Sequence, residues 1–180
     1  MRASLVNPIS TDKTDNSELK ADENFVRFDS LDKASEELRK TASLARRHID
    51  ILSARCFDKL YANTDLIDVI SIVARRHASA RIRILIKDST NLGSYHPLVA
   101  LAQRLSSKIT IKTVQADIEA PTSTYLISDE QHLLRFSDEE NAVGYVRHSA
   151  PAESSQLLTD FTHYWALYSY IDTNLRRLTL

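Results

Sequence analysis

The sequence predicts a three-layer α/β domain with one mixed, mostly parallel sheet flanked by helices. Short β-branched segments alternate with segments of helical periodicity through the first two thirds of the chain, a pattern typical of right-handed β-α-β crossovers. Three further strand candidates follow with short polar gaps, which favours antiparallel pairing. At 180 residues and 43% hydrophobic content the chain can bury a full core, and its 2 glycines argue against an all-β fold with many tight turns.

The first part of the chain predicts alternating strands and helices. Ser30 is a good N-cap residue, and the apolar spacing after it predicts a helix to about Arg47. Thr64 or Asp65 caps a second helix, and Pro97 begins a third. The alternating or β-branched segments between them predict strands over 24–28, 48–53, 81–86 and 108–114.

The last part of the chain predicts a strand meander and a long helix. The strand candidates are 123–127, 132–136 and 142–147. Pro151 begins a helix expected to continue through Leu175, and its face lies either inside the domain or at an interface. The residues predicted on that face are Leu157, Phe161, Tyr164, Trp165, Tyr168, Ile171, Asp172 and Leu175.

The domain organisation follows from composition. Residues 1–23 lack periodicity and are rich in Ser, Thr, Asp, Asn and Lys, which predicts a disordered tail before one domain over 24–180. The first residues are too polar for a secretory signal, and no apolar run is long enough to cross a membrane. We therefore expect a cytoplasmic protein with no membrane association.

One stretch carries part of a catalytic motif. Asp129 ends the segment that begins at Thr122, and Ser137 follows eight residues later. Together with the element order over residues 25–175 and the aromatic last helix, this stretch resembles one half of the phospholipase D-like fold. Catalytic members carry His-x-Lys, four residues, then Asp, with a Gly-Ser pair further on. The resemblance puts Thr122 and Thr124 at the His and Lys positions, while Asp129 and Ser137 match.

The resemblance implies a non-catalytic member. A threonine hydroxyl cannot replace imidazole as a nucleophile near neutral pH when no base removes its proton. Without the lysine, the charge of a phosphoryl group also lacks its counterion. Asp129 can equally be an ordinary hairpin-turn residue. Because catalytic members join two such halves around a shared site, a single half implies a homodimer with twofold symmetry.

The charge distribution suggests a partner. Residues 39–87 hold eleven basic and four acidic side chains, whereas residues 115–140 hold one basic and seven acidic ones. A basic patch would attract the phosphates of RNA or DNA, although solvated helix ends explain the same pattern. The candidate residues are Arg46, Arg47, Arg55, Arg75, Arg76, Arg81 and Arg83. We expect a nucleic-acid-binding or regulatory protein. The alternative is an adaptor subunit of a larger complex, and the acidic segment could pair with a second copy.

Other chemistries have weaker support. The single cysteine, Cys56, excludes an intrachain disulfide, and it is either a packing residue or a nucleophile with His48 as base. No histidine pair has zinc-site spacing. His96 either caps a helix or faces a cleft, and the acidic residues 138–140 form either a solvated turn or a metal site. We expect no metal and no cofactor.

Overall fold

The computed structural model describes residues 24–90 and 92–175, and the tail predicted over residues 1–23 lies outside the described residues. The described chain forms one eight-stranded sheet. Its strands are β1 (Phe25–Phe28), β2 (His48–Ser53), β3 (Arg81–Ile86), β4 (Ile109–Val114), β5 (Thr124–Ser128), β6 (His132–Asp138), β7 (Val143–Arg147) and β8 (Ser169–Tyr170).

Five helices connect or follow these strands in the described chain, and a short 3₁₀ turn (Thr173–Leu175) comes last. Pro97 stands at the start of the fourth helix and Pro151 at the start of the fifth, where a missing N–H costs nothing. The helices are α1 (Leu31–Ser43), α2 (Asp58–Tyr61), α3 (Thr64–Arg76), α4 (Pro97–Arg104) and α5 (Pro151–Leu167).

The strand order is β1-β7-β6-β5-β2-β3-β4-β8. The mixed α/β class with helices flanking one sheet is confirmed. Parallel pairing joins only β2 to β3 and β3 to β4, which helical crossovers connect. The other pairs are antiparallel, so the parallel part is smaller than expected. The β5-β6-β7 meander accounts for this difference, because its short turns force antiparallel pairing and it lies between β1 and β2.

Two cores lie on opposite faces of the sheet. Helices α1, α3 and α4 cover one face, with Ile51 of β2 and Leu126 of β5 in that core. Helix α5 covers the other, where Phe161 packs against Leu52 and Tyr125. Alternate residues of the same strands therefore serve different cores, as the pleat requires. Covered on both faces, the central strands are almost continuously buried, although β2 and β3 carry polar and charged residues.

The last helix is shorter than predicted. It ends at Leu167, and the chain then forms β8, which pairs only with Thr113 and Val114 of β4. The prediction that Tyr168, Ile171, Asp172 and Leu175 lie on the inner face of this helix was therefore wrong. Leu175 packs instead in the core on the opposite face of the sheet from α5. Pairing of the chain after α5 with β4 determines where α5 ends, because the Gln115 N–H donates to the Tyr168 carbonyl at 3.0 Å.

The first helix also ends early, at Ser43 rather than near Arg47, because Asp129 captures the following backbone. The Asp129 carboxylate accepts the N–H groups of Arg46 at 2.5 Å, Arg47 at 3.0 Å and His48 at 2.8 Å. Asp129 and Glu130 have φ values of 49° and 62°, the signs a type I′ turn requires. The β5–β6 turn therefore fixes the loop that leads into β2.

A buried ion pair joins β2 to β3 on the α5 face. Asp50 and Arg83 are register partners, and the Arg83 Nε donates to the Asp50 carboxylate at 2.5 Å. The guanidinium lies 4.8 Å from the centre of the Phe161 ring and 5.7 Å from that of Trp165. Because both charges are removed from water, each depends on the other for its solvation.

We predict that replacing Asp129 destabilises the fold in a pH-dependent way. Burial alone raises the pKa of Asp129, but the three backbone N–H donors lower it overall. Its contribution is therefore complete above the unfolded pKa and lost as pH falls through the folded one. Asp129→Asn keeps the positive-φ preference but loses the charge, and should cost about 2 kcal/mol of unfolding free energy at pH 7. Urea unfolding of both proteins should show this difference shrinking below about pH 4. A difference constant with pH would contradict the role.

A second prediction concerns the Asp50–Arg83 pair. Arg83→Met alone leaves a buried carboxylate without its partner, and should cost about 3–5 kcal/mol of unfolding free energy. The double variant Asp50→Leu with Arg83→Met removes both charges, and should recover most of this loss. Urea denaturation of the two single variants and the double variant measures the coupling. Additive losses would show that the two residues do not act as a pair.

Candidate functional site

The four motif positions lie at opposite edges of the sheet. We call the side where β2, β3 and β4 begin the amino edge, and the side where they end the carboxyl edge. Thr122, Thr124 and Ser137 are at the carboxyl edge, whereas Asp129 is at the amino edge beyond the far end of β5. Five residues of extended chain separate Thr124 from Asp129, about 17 Å. Asp129 therefore does not meet the threonines in one site.

The side chains at the carboxyl-edge positions are neutral hydroxyls. Thr122 is exposed in the loop before β5, and its carbonyl accepts a hydrogen bond from Lys87 Nζ at 3.1 Å. Thr124 is buried. Ser137 is exposed, and its hydroxyl donates to the Val143 carbonyl at 3.2 Å. The ammonium of Lys87, which directly follows β3, therefore lies beside Thr122.

A buried carboxylate lies at the same edge. Glu139, in the β6–β7 turn, is 4% exposed, and it accepts the Ala54 N–H at 2.7 Å and the Tyr61 hydroxyl at 2.8 Å. The interpretation of residues 138–140 as a solvated turn or metal site was wrong for this residue. No sequence signal distinguishes Glu139 from its exposed neighbours, because its burial depends on a hydroxyl and an N–H about 80 positions earlier in the chain.

The electrostatics of this edge disfavour a nucleophile. Burial raises the pKa of Glu139, and the Ala54, Ser53 and Tyr61 donors only partly offset this effect. Burial and the Glu139 charge raise the pKa of the Tyr61 phenol and of the Cys56 thiol well above their ordinary values. Both groups therefore keep their protons at neutral pH. Cys56 is a packing residue of the core, as one of the two interpretations held.

The remaining predictions from the sequence concern His96, metal binding and membrane association. His96 caps α4, its Nδ1 accepting the Leu98 N–H at 3.1 Å, and burial lowers its pKa despite the nearby Asp58 carboxylate. Over residues 24–90 and 92–175, no cluster of three or more His, Cys, Asp or Glu side chains could hold a metal ion. None of the helices in these ranges is long and apolar enough to cross a membrane.

Five of the seven candidate arginines lie together at the amino edge. The Arg81 N–H donates to the Arg47 carbonyl at 2.8 Å, and the Arg76 guanidinium donates to the Ala45 carbonyl at 2.9 Å. Arg75 is the next residue on α3, whose C-terminal dipole favours cations. All of them are exposed. We call this group the arginine edge: Arg46, Arg47, Arg75, Arg76 and Arg81.

The other two arginines lie elsewhere. Arg83 is buried in its ion pair with Asp50, so no ligand at the surface can reach its guanidinium. Arg55 follows β2 at the carboxyl edge, and its Nε donates to Asp88 at 3.0 Å. Arg81 and Arg83 share a face of β3, but only Arg83 lies beneath α5, which explains why Arg83 is buried and Arg81 is exposed.

The two edges carry opposite charge. The loop before β5 and the β6–β7 turn place exposed carboxylates at the carboxyl edge, namely Asp117, Glu119, Asp138 and Glu140. Two other acidic residues of the same segment, Asp129 and Glu139, are engaged by backbone N–H groups. The seventh, Glu130, is exposed in the β5–β6 turn at the amino edge. The segment predicted to be acidic is therefore largely separated from the arginine edge by the length of the strands.

Several solved structures share this fold. TrmBL2, an archaeal chromatin protein reported to show a novel mode of DNA binding, is 14% identical with a TM-score of 0.59, over 83% of this chain and 54% of its own. Nuc of Salmonella typhimurium, a phospholipase D family member, is 13% identical with a TM-score of 0.56, over 76% of this chain and 90% of its own. NucT of Helicobacter pylori is 12% identical with a TM-score of 0.56, over 78% of this chain and 93% of its own.

These comparisons confirm the phospholipase D-like fold. The chain spans about half the length of TrmBL2 and most of the length of the two other proteins. No curated protein matches the sequence. The family described as Domain of unknown function (DUF7931) matches residues 30–178, which include nearly the whole described domain, and the chain belongs to that family.

Proposed function

We propose that this domain is a non-catalytic phospholipase D-like module that binds nucleic acid through the arginine edge. The observation that carries the proposal is the convergence of five exposed arginines from the α1–β2 loop, the end of α3 and the start of β3. Phosphate backbones bind such surfaces because each neutralised phosphate releases condensed counterions. Of the two carboxylates in the neighbouring β5–β6 turn, Asp129 is engaged by three N–H groups and competes little for the guanidinium groups, whereas Glu130 is exposed.

The absence of catalysis rests on the carboxyl edge. The resemblance to catalytic phospholipase D-like proteins puts Thr122 and Thr124 at their histidine and lysine positions, and Lys87 donates to a backbone carbonyl there. An ammonium alone can stabilise phosphoryl charge, but hydrolysis by this family's chemistry also needs a nucleophile and a proton donor. Tyr61 and Cys56 are buried and protonated, which supports a binding role over an enzymatic one.

The likeness to an archaeal chromatin protein supports the nucleic-acid assignment, although only through the fold. A regulatory role and a homodimer belong to the same proposal. Two copies would present two arginine edges to one polyanion, and the second copy would then bind at a raised effective concentration.

We predict that the arginine edge determines the salt dependence of binding. The variant Arg46/Arg47/Arg75/Arg76→Ala should weaken duplex DNA and RNA binding. The slope of log K against log salt concentration should also become shallower, by about 0.9 for each phosphate that the variant no longer neutralises. Fluorescence anisotropy with a labelled duplex at several salt concentrations measures both quantities.

A matched control has the same change in net charge. Lys33/Arg39/Arg55/Lys59→Ala also removes four cations but lies on α1 and near the carboxyl edge, so its binding should stay near the wild-type value. If the two variants weaken binding equally, binding depends on net charge alone and the arginine edge is not a specific site. Binding unchanged by the arginine-edge variant would refute the proposal and favour the adaptor alternative, in which the acidic carboxyl edge meets a protein.

A further prediction concerns activity. The protein should not hydrolyse bis(p-nitrophenyl) phosphate above the buffer rate, because none of the described residues at the carboxyl edge is an activated nucleophile. Release of p-nitrophenol that is abolished in Thr122→Ala or Lys87→Met would show a working site there. These two substitutions suit the test better than Asp129→Ala, since Asp129 stabilises the fold.

A further inference from the structure

The β1, β7 and β6 strands leave part of one sheet face uncovered. On the far side Val26, Phe28 and Val146 pack in the core beneath α1. On the α5 side, the described core cluster contains no residue of β1 or β7. Alternate residues of these two strands therefore point to a face that α5 reaches only near its first turn.

The side chains on this face are aromatic rings and guanidinium groups. Phe25 and Tyr145 lie with ring centres 5.4 Å apart. The Arg27 guanidinium is 5.5 Å from the Phe25 ring centre, and that of Arg147 is 5.6 Å from Phe25 and 5.9 Å from Tyr145. Both arginines are exposed and both rings are partly exposed. We call this group, together with Arg135, the aromatic face.

The aromatic face carries a net positive charge. Glu153, in the first turn of α5, lies 3.4 Å from the Arg135 guanidinium and 3.7 Å from that of Arg147, and it accepts the Tyr145 hydroxyl at 2.8 Å. One carboxylate thus faces three guanidinium groups, counting that of Arg27. This carboxylate orients the Tyr145 ring and leaves an excess of positive charge.

A polar cleft continues the face toward the carboxyl edge. It has a volume of about 320 Å³ and is lined by Thr122, Ser123, Arg135, Phe136, Ser137 and Tyr145. Arg135 reaches into this region to donate to the Ser123 hydroxyl at 3.1 Å. Hydroxyl groups beside a guanidinium are suited to a phosphate diester, and two of them belong to positions of the degenerate motif.

We propose that the aromatic face binds single-stranded nucleic acid, with bases on Phe25 and Tyr145 and phosphates on Arg27, Arg135 and Arg147. This inference rests on the proposed function and specifies which form of nucleic acid the aromatic face takes. Rings offer a stacking surface to bases that are not already paired, whereas a duplex hides its base faces. A basic face also fits a polyanion better than an apolar protein partner.

The arginine edge and the aromatic face can serve one ligand. Phe25 and Arg147 lie where β1 and β7 meet the amino edge. Three strand spacings, about 14 Å, separate β7 from β2 and the arginine edge. A single-stranded nucleic acid that leaves the aromatic face at Arg147 would therefore reach the arginine edge within a few nucleotides.

Binding of three labelled probes to the full chain tests the proposal at one fixed salt concentration. The probes are a 12-nucleotide oligo(dT), the same strand with abasic sites, and a 12-base-pair duplex. Phe25→Leu and Tyr145→Leu should each weaken oligo(dT) binding at least about fivefold, the loss expected from one base stack. Duplex binding should change less than twofold. The abasic strand should bind wild type and variants alike, because it keeps phosphates but offers no bases.

Two control variants separate stacking from other effects. Tyr145→Phe removes the hydrogen bond to Glu153 but keeps the ring, so it should bind oligo(dT) like the wild type. Tyr95→Leu removes a ring that is 97% exposed in a distant loop, and should have no effect. Thermal melting of each variant confirms that it is folded.

The outcomes distinguish the two proposals. If the wild type binds oligo(dT) and duplex and neither leucine variant changes this binding, the proposal for the aromatic face is refuted. The proposal for the arginine edge is then unaffected. No binding of any probe would overturn both. Loss of oligo(dT) binding together with conversion of a dimer to a monomer, seen by light scattering, would assign this face to a second copy and overturn the nucleic-acid assignment.

Discussion

Strand β2 is held at both ends by carboxylates from the two turns that flank β6. Asp129 accepts the N–H groups just before the strand, and Glu139 accepts the Ala54 N–H just after it. This strand joins the two halves of the sheet, parallel to β3 on one side and antiparallel to β5 on the other. Because the turns at both ends of β6 are tied to it, the meander cannot shift in register without breaking charge-assisted hydrogen bonds.

These two carboxylates, which we call the β2 clamp, stabilise the scaffold without the help of any ligand. In this structure the role of Asp129 depends on backbone N–H groups and not on a substrate. The side chains at Thr122 and Thr124 support neither the clamp nor an activated nucleophile. Asp129, which stabilises the fold, therefore lies about 17 Å from Thr124. Five exposed arginines lie at the amino edge, and Arg27, Arg135 and Arg147 lie on the aromatic face.

Local patterns predicted most elements but not the points where distant segments intervene. Strands β1 to β7 and the starts of α3, α4 and α5 follow from alternation, capping and proline, which are properties of neighbouring residues. The end of α1 depends on Asp129, and the end of α5 depends on pairing with β4. No local pattern reveals either contact. Glu139 and Arg83 carry the same charges as exposed neighbours, and only tertiary contacts bury them. The arginine edge was predicted in part because helix ends and strand starts meet at one side of a sheet.

The opposite charges of the two edges have a consequence for encounter rates. A net charge of −1 describes this chain poorly, since five exposed arginines lie at the amino edge and four exposed carboxylates lie at the carboxyl edge. Such a molecule has a large dipole moment, and the field of a polyanion exerts a torque on it that turns the arginines forward before the two molecules touch. Within about 8 Å, the Debye length at physiological ionic strength, the approach is therefore oriented although the overall attraction is nearly zero.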